Sequence, residues 1–374
     1  MAKAVYVGVG SKARKMKKAY IGIGGKARKV KKMYIGVGGK ARLCYSAELE
    51  RYGMAAALST TRYDMRAATV GKYALFAGGY ISKSSFGYSV SSSVDAYNTS
   101  LTKSTPTELS YKRCGHAAAS VGGYALFAGG ASSYNILGFY ENLVSAVDAY
   151  DASLTRSAAH IIGATVAIGG AAVGNYALFA GGTVYSQVNK DNVTSDVLAY
   201  DPSLTFTTAP LLSVARANVK GASAVNYALF AGGRAGSFCT TVDAYNASLT
   251  RTTATALSST KNNSAAATVG NHAIFVGNTA SADIYDASLT KTSAAILSTA
   301  RTGLAATTVG DYAIFSGGGV ADFCDASLTR SNIGTSMTGY DMGAATIGDY
   351  ALFAGGHSGE KSDTAYDSVE VYTA

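Results

Sequence analysis

Acidic residues recur at one equivalent position in successive repeats of this chain. Two such carboxylates, if they came close together, could catalyse glycoside hydrolysis. Each stands two residues before a tyrosine, and the clearest examples are Asp95, Asp148, Asp243 and Asp283. Glycoside hydrolysis needs two carboxylates that flank a single scissile bond. A carboxylate that is repeated once per unit is instead typical of an architectural role, such as capping a turn. We therefore predict that the chain is not an enzyme.

Basic residues form a second regular set, each placed shortly before a run of small apolar residues. The set consists of Arg62, Arg113, Arg216, Lys261 and Arg301. Two matching positions break the pattern, with Thr165 and Gly339 in place of a basic residue. One interpretation is architectural, with these side chains donating hydrogen bonds to neighbouring loops. The other is a ring of donors for an anionic glycan or a carboxylate-bearing peptide, because guanidinium groups bind carboxylates well.

Aromatic residues are concentrated in the longer variable segments and form a third candidate set. The ligand-binding candidates there are Tyr80, Phe86, Tyr88, Tyr134, Phe139, Tyr140, Tyr185 and, beside them, Glu141. Aromatic rings on loops above a rigid scaffold suit sugar binding. The alternative is that these rings pack together and stiffen the loops. If they bind ligand, alanine at Tyr134 and Tyr140 is expected to abolish binding with little loss of thermal stability.

Histidine and cysteine give no sign of a metal or cofactor site. The four cysteines have neither metal-binding nor disulfide spacing. The four histidines fall at different positions in different segments, and no arrangement of a nucleophile with a base stands out. We predict no catalytic residue, no metal and no cofactor.

The elements that must position these residues are set by a repeated phrase, Tyr-Ala-Leu-Phe-Ala-Gly-Gly. The phrase or a close variant begins at Tyr73, Tyr124, Tyr176, Tyr227, His272, Tyr312 and Tyr350. Each unit contains four short stretches that are typical of strands, separated by Gly, Asn, Asp and Ser. Four strands per 38 to 52 residues is the content of one propeller blade. We predict an all-β, seven-bladed β-propeller over residues 44–374, with an N-terminal strand that completes the last blade.

The repeat resembles the Kelch repeat. The matching features are a Gly-Gly pair after an apolar strand, as at Gly78 and Gly79, and a tyrosine further on, as at Tyr97. The family's tryptophan is missing, since this chain contains none. At its position stand Lys103, Arg156, Phe206, Arg251 and Lys291. The resemblance therefore implies a divergent Kelch-like propeller.

Residues 1–43 are a different, strongly basic segment. They contain 13 Lys and Arg and no acidic residue, while the other 331 residues carry 19 basic and 23 acidic ones. A Tyr-Ile-Gly-Val-Gly-like phrase recurs every 14 residues and is followed by Lys-Ala-Arg. The alternation and the Gly-Gly pairs predict small β-hairpins or a meander that need a partner for stability. The sequence favours a protein partner over nucleic acid, and a solvated tail is an open alternative.

Residues 1–43, which we call the basic leader, resemble N-terminal segments of structural proteins of phages and prophages of Gram-positive bacteria. The resemblance implies docking to other virion proteins of the tail or baseplate. The docking candidates are Tyr6, Tyr20, Tyr34, Lys26, Arg28, Lys40 and Arg42. It also implies a virion location and symmetric homo-oligomers. The sequence shows no secretory signal and no membrane span, so synthesis in the host cytoplasm is expected.

Together these patterns predict a phage tail or fibre protein whose propeller binds a glycan or protein of the host surface during adsorption. Two other functions stay open. One is a purely structural tail or baseplate protein that contacts only its neighbours. The other, less favoured, is a hydrolase or lyase that acts on surface polysaccharide.

Overall fold

The computed structural model describes residues 6–9, 12–15, 19–23, 26–30, 32–37, 40–46, 48–84, 87–135, 140–184, 192–261, 265–335, 337–359 and 364–374. The chain divides into two compact units. One consists of Met1–Glu50 with Thr373–Ala374, and the other of Arg51–Tyr372. Among the described residues all regular structure is β-strand, and no helix that could span a membrane is found there.

The basic leader forms β-hairpins, as its alternating pattern predicts. Within the described residues each hairpin pairs only with itself. The paired strands are Tyr6–Val9 with Lys12–Lys15, Tyr20–Ile23 with Lys26–Lys29, and Lys32–Val37 with Lys40–Ser46. The side chains of the seven docking candidates lie outside what the structure describes.

The larger unit repeats one four-stranded antiparallel sheet, and we number the sheets 1 to 7 in chain order. Sheet 1 is Arg66–Val70, Tyr73–Ala77, Val94–Asn98 and Lys103–Ser104. Sheet 2 is Ala117–Val121, Tyr124–Ala128, Val147–Asp151 and Arg156–Ala158. Sheet 3 is Gly169–Val173, Tyr176–Ala180, Val197–Tyr200 and Phe206–Ala209. In each, the strands pair in the order in which they occur.

Sheets 4 to 7 follow the same order. Sheet 4 is Lys220–Ala224, Tyr227–Ala231, Val242–Asn246 and Arg251–Ala254. Sheet 5 is Ala265–Val269, His272–Val276, Ser281–Tyr285 and Lys291–Ala295. Sheet 6 is Ala305–Val309, Tyr312–Gly317, Val320–Asp325 and Arg330–Ile333. Sheet 7 is Gly343–Ile347, Tyr350–Ala354 and Val369–Thr373, and its fourth strand is Glu50–Ala55 from before sheet 1.

Short strands also form outside the seven sheets, most of them in the connections between the second and third strands. Tyr80–Ser84, Gly87–Val90, Ala131–Tyr134 and Tyr140–Leu143 form a further four-stranded sheet, which we call the bridging sheet. Two smaller pairs are Thr165–Val166 with Thr183–Val184 and Arg234–Ala235 with Ser237–Phe238. The prediction that these connections are loops is wrong where the bridging sheet forms. Its two halves come from different repeats and meet where Tyr88 pairs with Tyr134.

The Leu-Phe step of the repeated phrase builds the core, because successive side chains on a strand point to opposite faces. In sheet 2, Leu126 packs with sheet 3 residues, while Phe127 packs with residues of sheet 1. Leu352 of sheet 7 shares a cluster with Phe76 of sheet 1 in the same way. These side chains are fully buried. Each contributes about 1.5–3 kcal/mol of stability through its buried apolar surface.

The first strands contact one another in chain order, and the first strand of sheet 7 contacts that of sheet 1. Hydroxyl groups at one equivalent position join them, a feature that the sequence analysis missed. The residues at this position are Thr69, Ser120, Ala172, Ser223, Thr268, Thr308 and Thr346. Each hydroxyl donates to the backbone carbonyl of the preceding repeat, as from Ser120 to Thr69 at 2.7 Å. Ala172 is the one position of the set that has no hydroxyl.

Ala172→Ser should complete this series of hydrogen bonds between first strands and raise the free energy of unfolding. The new hydroxyl would be placed to donate to the carbonyl of Ser120, as Ser223 donates to Ala172 at 2.6 Å. One added hydrogen bond is worth about 0.5–1.5 kcal/mol. Chemical denaturation of the two proteins measures the difference. A matched Ser223→Ala variant should lose a similar amount, and a destabilised Ala172→Ser protein would contradict the proposed geometry.

Candidate functional site

Each repeated acidic residue is the centre of a buried ion-pair network. Asp243 pairs with Arg216 at 2.9 Å and with Arg251 at 2.9 Å, and it accepts a 3.0 Å hydrogen bond from the Ser213 hydroxyl. Asp95, Asp148, Asp283 and Asp322 have the same surroundings in sheets 1, 2, 5 and 6, each with two basic residues and a serine. Four of the five residues that stand in place of the Kelch tryptophan are therefore second cations of these networks, namely Lys103, Arg156, Arg251 and Lys291.

The four arginines predicted as ligand-binding candidates lie within these networks and do not form an exposed ring of donors. Arg62, Arg113 and Arg216 are fully buried. The Arg301 side chain is 9% exposed and pairs with Asp322 at 2.7 Å. Burial lowers the pKa of Arg62 and of Arg113, while their aspartates act in the opposite direction. Because a ligand could reach these guanidinium groups only by breaking a buried ion pair, the architectural interpretation describes them better.

The two breaks in the basic pattern have a structural reason. In sheet 3 the whole network is replaced by uncharged residues, with Thr165, Leu198 and Phe206 at the three positions. The Phe206 ring stacks on His160 with centroids 4.4 Å apart. In sheet 7 the acidic residue is Glu370, which is paired with Arg51 and accepts a hydrogen bond from the Thr335 hydroxyl. The charged residues are thus replaced together in sheet 3, whereas sheet 7 lacks one cation and keeps an acidic residue paired with an arginine.

The tyrosines of the long connections come together instead of projecting separately. Tyr80, Tyr88, Tyr134 and Tyr140 pack in one cluster with Tyr63, and neighbouring ring centroids lie 4.9–5.7 Å apart. Tyr80 is 7% exposed, and the other three connection tyrosines are half-buried. The expectation that alanine at Tyr134 and Tyr140 leaves stability nearly unchanged therefore needs correction. Removing these rings would open space inside a packed cluster.

The remaining loop candidates divide into two groups. Glu141 lies in the bridging sheet and accepts a 2.7 Å hydrogen bond from the Asn135 amide. Phe86, Phe139 and Tyr185 lie outside the described residues. Among the described residues, no group of three His, Cys, Asp or Glu is placed to hold a metal ion.

The tyrosine cluster forms one wall of a cavity of about 340 Å³, which we call the mouth cavity. This volume is within the range typical of small-ligand sites, about 300–1,000 Å³. Charged side chains line it as well, namely Asp64, Arg66, Lys220 and Asp341. Because Tyr63, Tyr80 and Tyr88 come from sheet 1 and its connection, and Tyr134 and Tyr140 from that of sheet 2, the aromatic wall lies to one side.

Backbone in the left-handed region shapes the rim of this cavity. The backbone φ values lie between 49° and 60°, a range that residues other than glycine seldom adopt, at Asp64, Ala167, Asn218 and Asp341. Backbone hydrogen bonds of 2.7–2.8 Å link these residues between repeats, as from Asp64 N–H to the carbonyl of Asp341. Gly115 and Gly303 have φ values of 59° and 65° at the equivalent positions, so this conformation is a feature of the repeat that places Asp64 and Asp341 at the rim.

Electrostatic interactions couple the charged residues of the cavity. Arg66 donates to Asp64 Oδ1 at 2.6 Å and to the carbonyl of His116 at 2.9 Å. His357 Nε2 lies 3.1 Å from Asp341 Oδ2. Burial alone would raise the pKa of Asp341, but the hydrogen bond with His357 and the nearby positive charges lower it. Burial lowers the pKa of Lys220, and Arg66 adds to that effect, whereas Asp64 and Asp341 oppose it.

Sequence reasoning missed Tyr63, Asp64, Arg66, Lys220 and Asp341. A signal for the charged residues was present in the repeat itself. Arg66 and Lys220 each begin a first strand, whereas the other five first strands begin with alanine or glycine. A residue of the mouth cavity that departs from the repeat is a better candidate for binding than one that follows it.

His116 is a buried titratable residue beside this site, and it should make the protein sensitive to acid. It is fully buried, and neither ring nitrogen has a hydrogen-bond partner within the described residues. Burial, together with Arg113 and Arg66, holds its pKa well below the usual value of 6.5. Below about pH 6.5 the unfolded chain therefore binds a proton that the folded chain excludes. Each further pH unit then lowers the free energy of unfolding by up to about 1.4 kcal/mol.

His116→Met should remove this pH dependence. Met65 and Met342 occupy the equivalent position in sheets 1 and 7, so methionine suits the site. Urea denaturation between pH 7.5 and 4.5 should show a smaller loss of stability for the variant than for the wild type. Parallel stability curves for the two proteins would contradict the account.

Comparisons with known proteins bear on the fold and on little else. No family model matches the chain, and neither does any curated protein. Many solved structures do match it. One is the structure of YjhT, which aligns with a TM-score of 0.55 and 12% sequence identity, over 86% of this chain and 99% of the other. At that identity the likeness concerns the fold alone, and it supports a propeller-like, all-β architecture.

Proposed function

We propose that this chain is a seven-bladed, Kelch-like β-propeller that binds a host-surface glycan as part of a phage tail or fibre. The sevenfold repeat and the contact of the first strand of sheet 7 with that of sheet 1 support the closed propeller. The repeated sequence of residues 1–43 supports the virion assignment through its resemblance to phage structural proteins. This segment would dock to other tail or baseplate proteins. The chain is proposed to bind rather than to catalyse.

The mouth cavity is the observation that carries the glycan proposal. Tyrosine rings offer flat apolar faces with a hydroxyl at one end, which suits the alternating polar and apolar surfaces of a sugar. Tyrosine hydroxyls are protonated at neutral pH and can donate hydrogen bonds to a sugar. Asp64 and Asp341 add acceptors at the same cavity.

A glycan array probed with the full-length chain tests the binding function. We expect selective binding to one class of cell-wall or capsular glycan, without release of reducing sugar on incubation. Absence of binding to every glycan and to intact host cells would overturn the proposal in favour of a structural tail protein. Release of reducing sugar would favour a hydrolase, and release of unsaturated product a lyase.

Peptide mass spectrometry of purified, salt-washed phage particles tests the virion assignment separately. Peptides from residues 1–43 and from the repeats should both appear, at the abundance of a structural component. Their absence from particles would refute the tail assignment without bearing on glycan binding.

A further inference from the structure

The mouth cavity carries two long cationic side chains that the repeat does not require. Arg66 and Lys220 both line it, from sheets 1 and 4. At the equivalent positions the other five sheets have Ala117, Gly169, Ala265, Ala305 and Gly343. Since five sheets form without a cation at this position, the two cations are not explained by the architecture.

Lys220 differs from the other buried cations of this unit in its lack of a partner. Arg62, Arg113, Arg216 and Lys261 are each paired with an aspartate. The Lys220 side chain is half-buried, yet it makes no direct hydrogen bond or ion pair with any residue that the structure describes, and Asp64 and Asp341 act on it only at longer range. A partly desolvated ammonium group without a partner is unfavourable. An anionic ligand group would relieve that cost.

The acidic residues of the cavity do not neutralise Lys220 directly. Asp64 is held by Arg66 at 2.6 Å, and Asp341 by His357 at 3.1 Å. Arg66 uses its Nε and Nη1 atoms in its hydrogen bonds to Asp64 and to backbone carbonyls, which leaves Nη2 outside these bonds. Lys220 therefore offers an ammonium group, and Arg66 one further donor, to a ligand in the cavity.

We propose that Lys220, assisted by Arg66, forms an oxyanion subsite of the mouth cavity, so that the ligand is an acidic glycan. This inference rests on the proposed glycan-binding function and specifies its ligand class. The anionic group is a carboxylate, as in a uronic acid, or a phosphate, as in a polyol-phosphate polymer. The tyrosine wall then contacts the ring or chain that carries it.

The test compares matched ligands on the full-length chain by isothermal titration at low ionic strength. The probes are tetragalacturonate, its methyl ester and a synthetic tetramer of glycerol phosphate. The ester keeps the sugar rings and removes the charge. We expect at least one anionic probe to bind about tenfold or more tightly than the ester, as one charge-assisted hydrogen bond provides. Binding of one anion and not the other assigns the carboxylate or the phosphate.

Two variants and a control attribute the preference to Lys220. Lys220→Met should abolish the preference for the anion and leave ester binding within about twofold, since only the charged contact is lost. Lys220→Arg should retain the preference. The control, Lys112→Met, removes an exposed lysine that does not line the cavity. It should bind like the wild type.

Several outcomes would overturn the subsite. Equal affinity for the acid and its ester would do so, as would a preference that survives in Lys220→Met. If neither anion binds to a protein that still binds a neutral glycan on the array, the subsite fails and the proposed function stands. If no glycan binds at all, both fail.

Discussion

Asp148→Ala is expected to lower the free energy of unfolding by about 3–5 kcal/mol, the usual cost of removing one partner from a buried ion pair. The substitution leaves Arg113, which is fully buried, without its carboxylate. It also removes the 2.8 Å ion pair with Arg156 and the 3.0 Å hydrogen bond from the Ser110 hydroxyl. Thermal and urea denaturation at neutral pH measure the loss.

Sheet 3 provides the matched control for this prediction, because it forms without the network. The triple variant Arg113→Thr, Asp148→Leu, Arg156→Phe gives sheet 2 the residues of sheet 3. Replacing a buried charged network as a unit is often neutral. We therefore expect the triple variant to recover much of the stability that Asp148→Ala loses. A triple variant less stable than Asp148→Ala would contradict the view that these residues act as one unit.

Replacing the cavity tyrosines should have the largest effect on binding. In Tyr134→Leu, Tyr140→Leu, two flat rings and two hydroxyls are removed while apolar volume remains. We expect affinity for the glycan selected on the array to fall by about 30-fold or more, the loss typical of residues that dominate an interface. Titration of the wild type and the variant with that glycan measures it.

Stability must be followed in the same experiment, because these rings also pack against their neighbours. Tyr134 lies 4.9 Å from Tyr140 and 5.2 Å from Tyr88 between ring centroids. Leucine limits the cavity that alanine would leave, and a melting curve establishes that the variant is folded at the assay temperature. The control is Tyr111→Leu, at a tyrosine that is 58% exposed and does not line the cavity. Unchanged binding in a folded double variant would move the site elsewhere.

The sequence predicted the repeating sheets well, because their determinants lie within each repeat. The Leu-Phe step assigns side chains to the two faces of a strand, as Leu126 and Phe127 illustrate. The Gly-Gly pair has positive φ at both residues, as the sequence suggests for Gly78 and Gly79. The strand Glu50–Ala55 was also expected from the missing fourth strand at the end of the last repeat.

The site was less predictable, since it depends on contacts between repeats that no single repeat encodes. The pairing of Tyr88 with Tyr134 joins two connections of unrelated sequence. Asp341 and Lys220 meet at the mouth cavity although they are far apart in the chain. The basic set was regular in sequence, but only burial separates an architectural arginine such as Arg216 from a cavity arginine such as Arg66.

Crystallography of the full-length chain with the glycan that binds most tightly on the array tests directly whether the mouth cavity binds the sugar. We expect electron density for the sugar in the mouth cavity, against the Tyr134 ring, with an anionic group within hydrogen-bond distance of Lys220 Nζ. A glycan bound at another surface, with the mouth cavity free of sugar, would contradict it.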